Sequence, residues 1–211
     1  MEHKHLSLAD QVFERLEADI LSGKYARGEV LTEMKLCADL GVSRTPIREA
    51  THRLAQEHIV EMTAKGITVL GVTDEDLADI YDIRMRLEGM AAALAARNAT
   101  DEQIKEMKEA LELQEFYCGK KDAERIRHMD SNFHDLIYAA AASVVLYDTL
   151  LPLHKKTQKF RKASVENHSR AEASLAEHRA IFEAVATRDE KAAEAAMCAH
   201  VANAKKHIMK G

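Results

Sequence analysis

Apolar positions along this chain fall at helical spacing nearly everywhere, with one short interruption. Between Leu8 and Leu21 they recur every three or four residues, and Ser7 stands where an N-cap belongs, so a first helix is predicted there. Thr32 can cap a short helix over 33–40, and Gly41 supplies a positive-φ turn after it. Ser43 then reads as the cap of a further helix, with Pro46 in its first turn, where a missing N–H is tolerated. From Ile59 to Val69 the period changes to two around Ala64, Lys65 and Gly66, the pattern of a β-hairpin. Two helices joined by a glycine turn and followed by a hairpin make a winged helix-turn-helix, a small α+β unit.

Past Gly71 the alternation stops and the helical period holds to the end. Helices are predicted over 74–97, 101–118, 122–141, 144–164, 169–187 and 190–209, the second announced by a capping box from Thr100 to Gln103. Pro152 is expected to kink or interrupt the fourth, because an interior proline removes a hydrogen bond and crowds the preceding turn. No fixed repeat period is present, which favours a bundle over a solenoid. The expected fold is thus mainly α: a winged helix-turn-helix over 1–71, then an all-α six-helix bundle over 72–211.

Bulk properties narrow what such a chain can do. The net charge of −5 over 211 residues excludes a general nucleic-acid packer, so any contact with DNA must come from a local basic surface. Three scattered cysteines form neither a disulfide framework nor a sulfur metal site. The first residues lack an apolar stretch and no run approaches the length of a bilayer, so the expectation is a cytoplasmic protein without membrane contact.

Two sets of residues carry chemistry. In the second helix of the helix-turn-helix, Arg44 and Arg48 lie four apart on one face, near a helix N-terminus that itself favours phosphate. In the bundle, the inward stripes are broken by Arg84, by Asp130 and His134, by His178 and by His200. Each alone reads as a core hydrogen bond, and Arg84 has a ready internal partner in Glu88, four residues on. Taken together they turn one carboxylate and three imidazoles toward a shared interior, where a metal ion is one of two readings left open by the spacing.

The segment Gly41-Val-Ser-Arg-Thr-Pro-Ile-Arg-Glu-Ala50, with Arg53-Leu54, Val60 and the Gly66 hairpin, resembles the GntR family of bacterial transcription regulators. Thr51 and His58 depart from its usual Leu and Gly; His tolerates positive φ better than most residues, so the turn is expected to persist. The rest of the chain, through Ile80-Tyr-Asp-Ile-Arg84, Asp130-x-x-Phe133-His134, Glu177-His178 and His200, is similar to the FCD ligand-binding domain of the FadR-type subfamily. That resemblance implies DNA-facing roles for Lys35, Arg44, Thr45, Arg48, Lys65 and Gly66. It implies a divalent metal on Asp130, His134, His178 and His200, and a small carboxylate effector completing the coordination. Arg84 would pair with the effector's acid. Asn203 is grouped with it as an effector contact and, with Glu177, stands close enough in sequence to the ligands to orient them. Zinc, nickel, manganese and iron all suit three nitrogens and one oxygen.

The expectation is a one-component regulator, a repressor more readily than an activator, acting as a homodimer on a palindromic double-stranded operator and answering to an organic acid. Two rivals stand beside it. One is a regulator that answers to the metal alone; the other is a metal-dependent bundle enzyme, for which no second constellation supplies a general base and nucleophile.

Overall fold

The computed structural model describes residues 7–157, 160 and 168–209, and these fall into two compact units that divide between Thr73 and Asp74. In the first unit, α1 (Leu8–Leu21) begins at Ser7, whose hydroxyl and backbone exchange hydrogen bonds with Asp10 in a capping box. Strand β1 (Val30–Leu31) leads into α2 (Glu33–Leu40), capped by Thr32 and closed by Gly41 at φ 66°. Helix α3 (Arg44–Gln56) follows, with strands β2 (Val60–Thr63) and β3 (Gly66–Val69) after it.

The three strands form an antiparallel sheet in the order β1-β3-β2, pairing Val60 with Val69 and Val30 with Thr68. Gly66 is required by this arrangement: it sits at φ 133°, and a Cβ there would lie 2.6 Å from the carbonyl oxygen of Leu31. Phe13, Leu16, Ile20, Leu36, Ile47, Leu54, Ile59 and Ile67 converge beneath the sheet as one apolar core, which gives α3 a firm seat. Two details go beyond the expectation. Ser43 stands at the N-cap of α3 in extended conformation, as expected, but its side chain makes no capping bond. The hairpin also gains a third strand, β1, invisible in the sequence because its two residues pair only with the distant β3.

Among the described residues, the second unit comprises helices α4 (Asp74–Asn98), α5 (Asp101–Lys120), α6 (Ala123–Ala140), α7 (Val144–Lys156), α8 (His168–Ala186) and α9 (Glu190–Ile208). The Thr100 capping box is present, and Asp122, Ser143 and Asp189 cap their helices. Helix α7 runs through Pro152 without interruption. It ends with Thr157 as its C-cap, and the remainder of the helix expected over 144–164 falls mostly outside the described residues. Helices α4 and α9 pack closely because Gly89 has no side chain: a Cβ there would meet Cys198 Sγ at 2.5 Å. Among the described residues no helix is long and apolar enough to cross a membrane.

Candidate metal centre and nucleic-acid interface

On the first unit the six residues expected to face DNA lie on α2, α3 and the β2–β3 hairpin. Arg44, Thr45, Arg48 and Lys65 are exposed, and Gly66 is half-buried at the hairpin. Arg48 donates through Nε to Glu33 Oε1 at 2.7 Å, and Lys35 Nζ meets Glu29 Oε1 at 2.9 Å. A guanidinium held by Nε keeps its two terminal nitrogens for other acceptors, the geometry that suits guanine edges and phosphates.

Inside the second unit Asp130 and His134 on α6, His178 on α8 and His200 on α9 come together, all buried. His134 Nε2 lies 3.2 Å from His200 Nε2, and His178 Nε2 lies 3.4 Å from the same atom. Asp130 Oδ1 is 3.6 Å from His178 Nε2. The far nitrogen of each ring faces an oxygen: His134 Nδ1 faces Glu88 Oε2 at 2.9 Å, His178 Nδ1 faces Gln114 Oε1 at 2.9 Å, and His200 Nδ1 faces Glu177 Oε2 at 2.7 Å. Carboxylate and amide oxygens only accept, so the Nδ1 atoms of His178 and His200 carry the proton. A ring protonated at Nδ1 presents a lone pair at Nε2, and here the Nε2 atoms of His178 and His134 both lie against that of His200.

That arrangement suits a cation better than it suits itself. Two ring nitrogens bound to one ion at about 2.0–2.1 Å lie roughly 3 Å apart or slightly more, the spacing seen here. The residues therefore fit a divalent ion, with Asp130 as the oxygen donor. Electrostatics agree. Burial pulls the His200 imidazole down to about 4 despite the neighbouring Glu177, so the ring is neutral and able to ligate at neutral pH. Burial alone would push the Glu177 carboxyl up, but hydrogen bonds from His200 and Arg170 bring it down to about 2. Glu177 is a hub: Arg170 grips it through both terminal nitrogens at 2.9 and 2.8 Å, and Asn203 donates to it at 2.9 Å.

Family comparisons match this organisation. The model for bacterial regulatory proteins of the gntR family covers residues 8–69, and the model for the FCD domain covers residues 79–203. The gluconate operon transcriptional repressor of Bacillus licheniformis is 30% identical over 179 residues, spanning 82% of this chain and 74% of its own length. The transcriptional repressor RspR of Escherichia coli is 29% identical, spanning 90% and 84%. Among solved structures, E. coli McbR/YncC superposes with a TM-score of 0.83 at 25% identity, covering 97% of this chain and 98% of that one. The chain belongs to the GntR family. It is a DNA-binding transcriptional regulator and not an enzyme, with an FCD domain behind its helix-turn-helix.

In this GntR regulator the two residues expected to hold an effector are both engaged by neighbouring side chains. Arg84 borders the cavity beside the histidines, but its guanidinium is caged: Nε donates to Glu88, Nη1 to Thr157 Oγ1 at 3.1 Å, and Nη2 to His154 Nδ1 at 3.0 Å. Burial works against its charge and Glu88 outweighs it, holding the group above its ordinary range. Its engagement is the internal pair with Glu88. Asn203 is exposed and holds Glu177, and it does not border the cavity.

Three residues that matter were not singled out from spacing as parts of the site. Glu88 serves Arg84 and His134 together, and Gln114 orients His178. His154 is buried against Arg84 and Tyr138, and burial first and Arg84 second hold its imidazole well below the ordinary range. Glu88, His134 and His154 also gather ligand-type atoms within 4.8 Å of one another. Arg84 already places its positive charge among them, so this second cluster has its own cation.

Proposed function

We propose that this regulator is a repressor whose grip on its operator is set by a small organic acid bound at a divalent metal ion on Asp130, His134, His178 and His200. The observation that carries the reading is the set of three Nε2 atoms aimed at one point, each ring fixed from behind by an oxygen. Such backing orients a ligating imidazole and raises its basicity. When bound, a divalent ion supplies a Lewis-acidic centre that accepts a carboxylate oxygen. The protein's own part is to fix the rings, through Glu88, Gln114 and Glu177, and to exclude water from the site. Arg84 braces Glu88 in this scheme and acts on the effector only through the field of the site.

The names of the relatives make repression and a sugar acid the first choices, since one of them represses a gluconate operon. A homodimer on a palindrome follows from the reach of one recognition helix, which reads too few base pairs for selectivity. For an acid to switch the protein it must bind the DNA-competent and incompetent arrangements unequally.

A gel-shift titration on the DNA upstream of the gene, with metal-loaded and chelator-treated protein and a panel of acids including gluconate, tests the proposal. Arg48→Ala is expected to lose the specific shift. His178→Ala is expected to keep the shift and lose the acid response. Normal acid response in His178→Ala sinks the sensing mechanism, and graded operator affinity with metal concentration but no acid response identifies a metal sensor instead.

A further inference from the structure

The cavity beside the histidines is small, about 40 Å³, enough for roughly three water-sized atoms and therefore for one carboxylate group. Two of its walls carry buried donors that meet no acceptor among the described residues: the Tyr81 hydroxyl and the Gln114 Nε2 amide. Both side chains are essentially closed to solvent, Tyr81 at 1% and Gln114 at 0% exposure. Buried donors are rarely left without partners, and each such case calls for an explanation. The amide's orientation is set by its other end, because Oε1 receives the proton of His178 Nδ1 and so turns Nε2 away from that ring. Tyr81 lies one helical turn before Arg84 on α4, and Gln114 comes from α5, so the two donors approach from different helices.

We infer that Tyr81 and Gln114 form the specific seat of the effector's carboxylate, each donating one hydrogen bond to the acid bound at the metal site. The inference rests on the reading given under Proposed function. It assigns the recognition that Arg84 was expected to supply to two uncharged donors. The chemistry selects a ligand whose head group only accepts hydrogen bonds. An ammonium or guanidinium head would set donor against donor. Gln114 then has two duties, orienting His178 with its oxygen and receiving the acid with its nitrogen. Keeping an unmatched hydroxyl in the core is a stability cost that a binding role explains.

Calorimetric titration of full-length protein loaded with nickel or zinc, with acetate, lactate and gluconate as probes, tests this. Tyr81→Phe is expected to weaken the tightest of these acids about tenfold, as befits one lost bond to a charged group. The same variant, without acid, is expected to melt no lower than wild type, a crossing of effects that a merely structural tyrosine would not give. Gln114→Glu keeps an oxygen for His178 but places an anion where the amide donor was, and is expected to abolish acid binding. Metal titrations of each variant run alongside, so acid binding is compared only between loaded proteins. Loaded Tyr81→Phe and Gln114→Glu that both bind the acid within twofold of wild type overturn the inference while leaving the metal-and-acid reading intact. Loaded wild type that binds none of the acids overturns both.

Discussion

Glu88→Gln is the substitution with the largest consequence that can be worked from the structure. Glu88 is fully buried and Arg84 is 3% exposed, so the pair is screened by almost no solvent. Burial pushes the Glu88 carboxyl up, but Arg84 and then His134 more than offset this and hold it well below the usual carboxylate range. The amide keeps the shape of the side chain and removes the charge. Arg84 is then left as a buried cation among neutral groups, Thr157, His154 and the Tyr81 ring. Breaking such a pair from one side costs about 3–5 kcal/mol, a large share of the 5–15 kcal/mol that typically holds a domain together. At roughly 2–4 °C per kcal/mol, the melting temperature falls by about 6–20 °C. The assay is circular dichroism melting of chelator-treated protein at neutral pH, which separates the pair from any stabilisation by bound metal. Arg84→Met combined with Glu88→Leu removes both charges and is expected to recover most of the loss. A second readout follows from the same side chain: His134 Nδ1 loses its carboxylate, and metal affinity is expected to drop about 10- to 100-fold. If Glu88→Gln melts within about 2 °C of wild type, the pair is not the buried ionic contact described here.

Three further outcomes follow from separate features. Gly89→Ala drives a methyl group against Cys198 Sγ and is expected to cost about 1–3 kcal/mol in denaturant unfolding, with more than half recovered when Cys198→Ala is added. His58 lies at φ 56° after α3, so His58→Gly is expected to stabilise the first unit by about 0.5–1 kcal/mol; a loss of stability would contradict that backbone assignment. Tyr147 is raised to about 12 by burial first and by its hydrogen bond to Asp135 at 2.8 Å second. Its folded value lies above its unfolded value near 10, so its contribution is complete below pH 10 and is lost as the pH climbs toward 12. Phenolate absorbance of wild type minus Tyr147→Phe measures this directly, and ionisation near pH 10 would refute it.

Much of the architecture was legible because local signals agreed with tertiary ones. Ser7, Thr32, Thr100 and Gly41 mark helix ends that the structure keeps, and the switch of period at Ile59 marks the hairpin. What escaped was non-local. Strand β1 is two residues long and exists only through β3, and Ser43 has the right chemistry for a cap without making the bond. In the bundle, helical phase was enough to bring Asp130, His134, His178 and His200 to one interior. It was not enough to rank Arg84's partners, because that required knowing that α7 places His154 and Thr157 against it. Gln114 and Tyr81 were lost for a similar reason: a polar residue inside a predicted helix looks the same whether its neighbours satisfy it or not.

The double engagement of Glu88 has a genetic consequence. One carboxylate maintains the fold on one side and tunes an imidazole on the other, so inheritance cannot alter these properties separately at that codon. A screen for signal-blind alleles would recover lesions there as scarce, protease-sensitive protein, and low abundance would disguise a change in sensing. Reading such alleles correctly requires measuring how much protein remains before asking what it still hears.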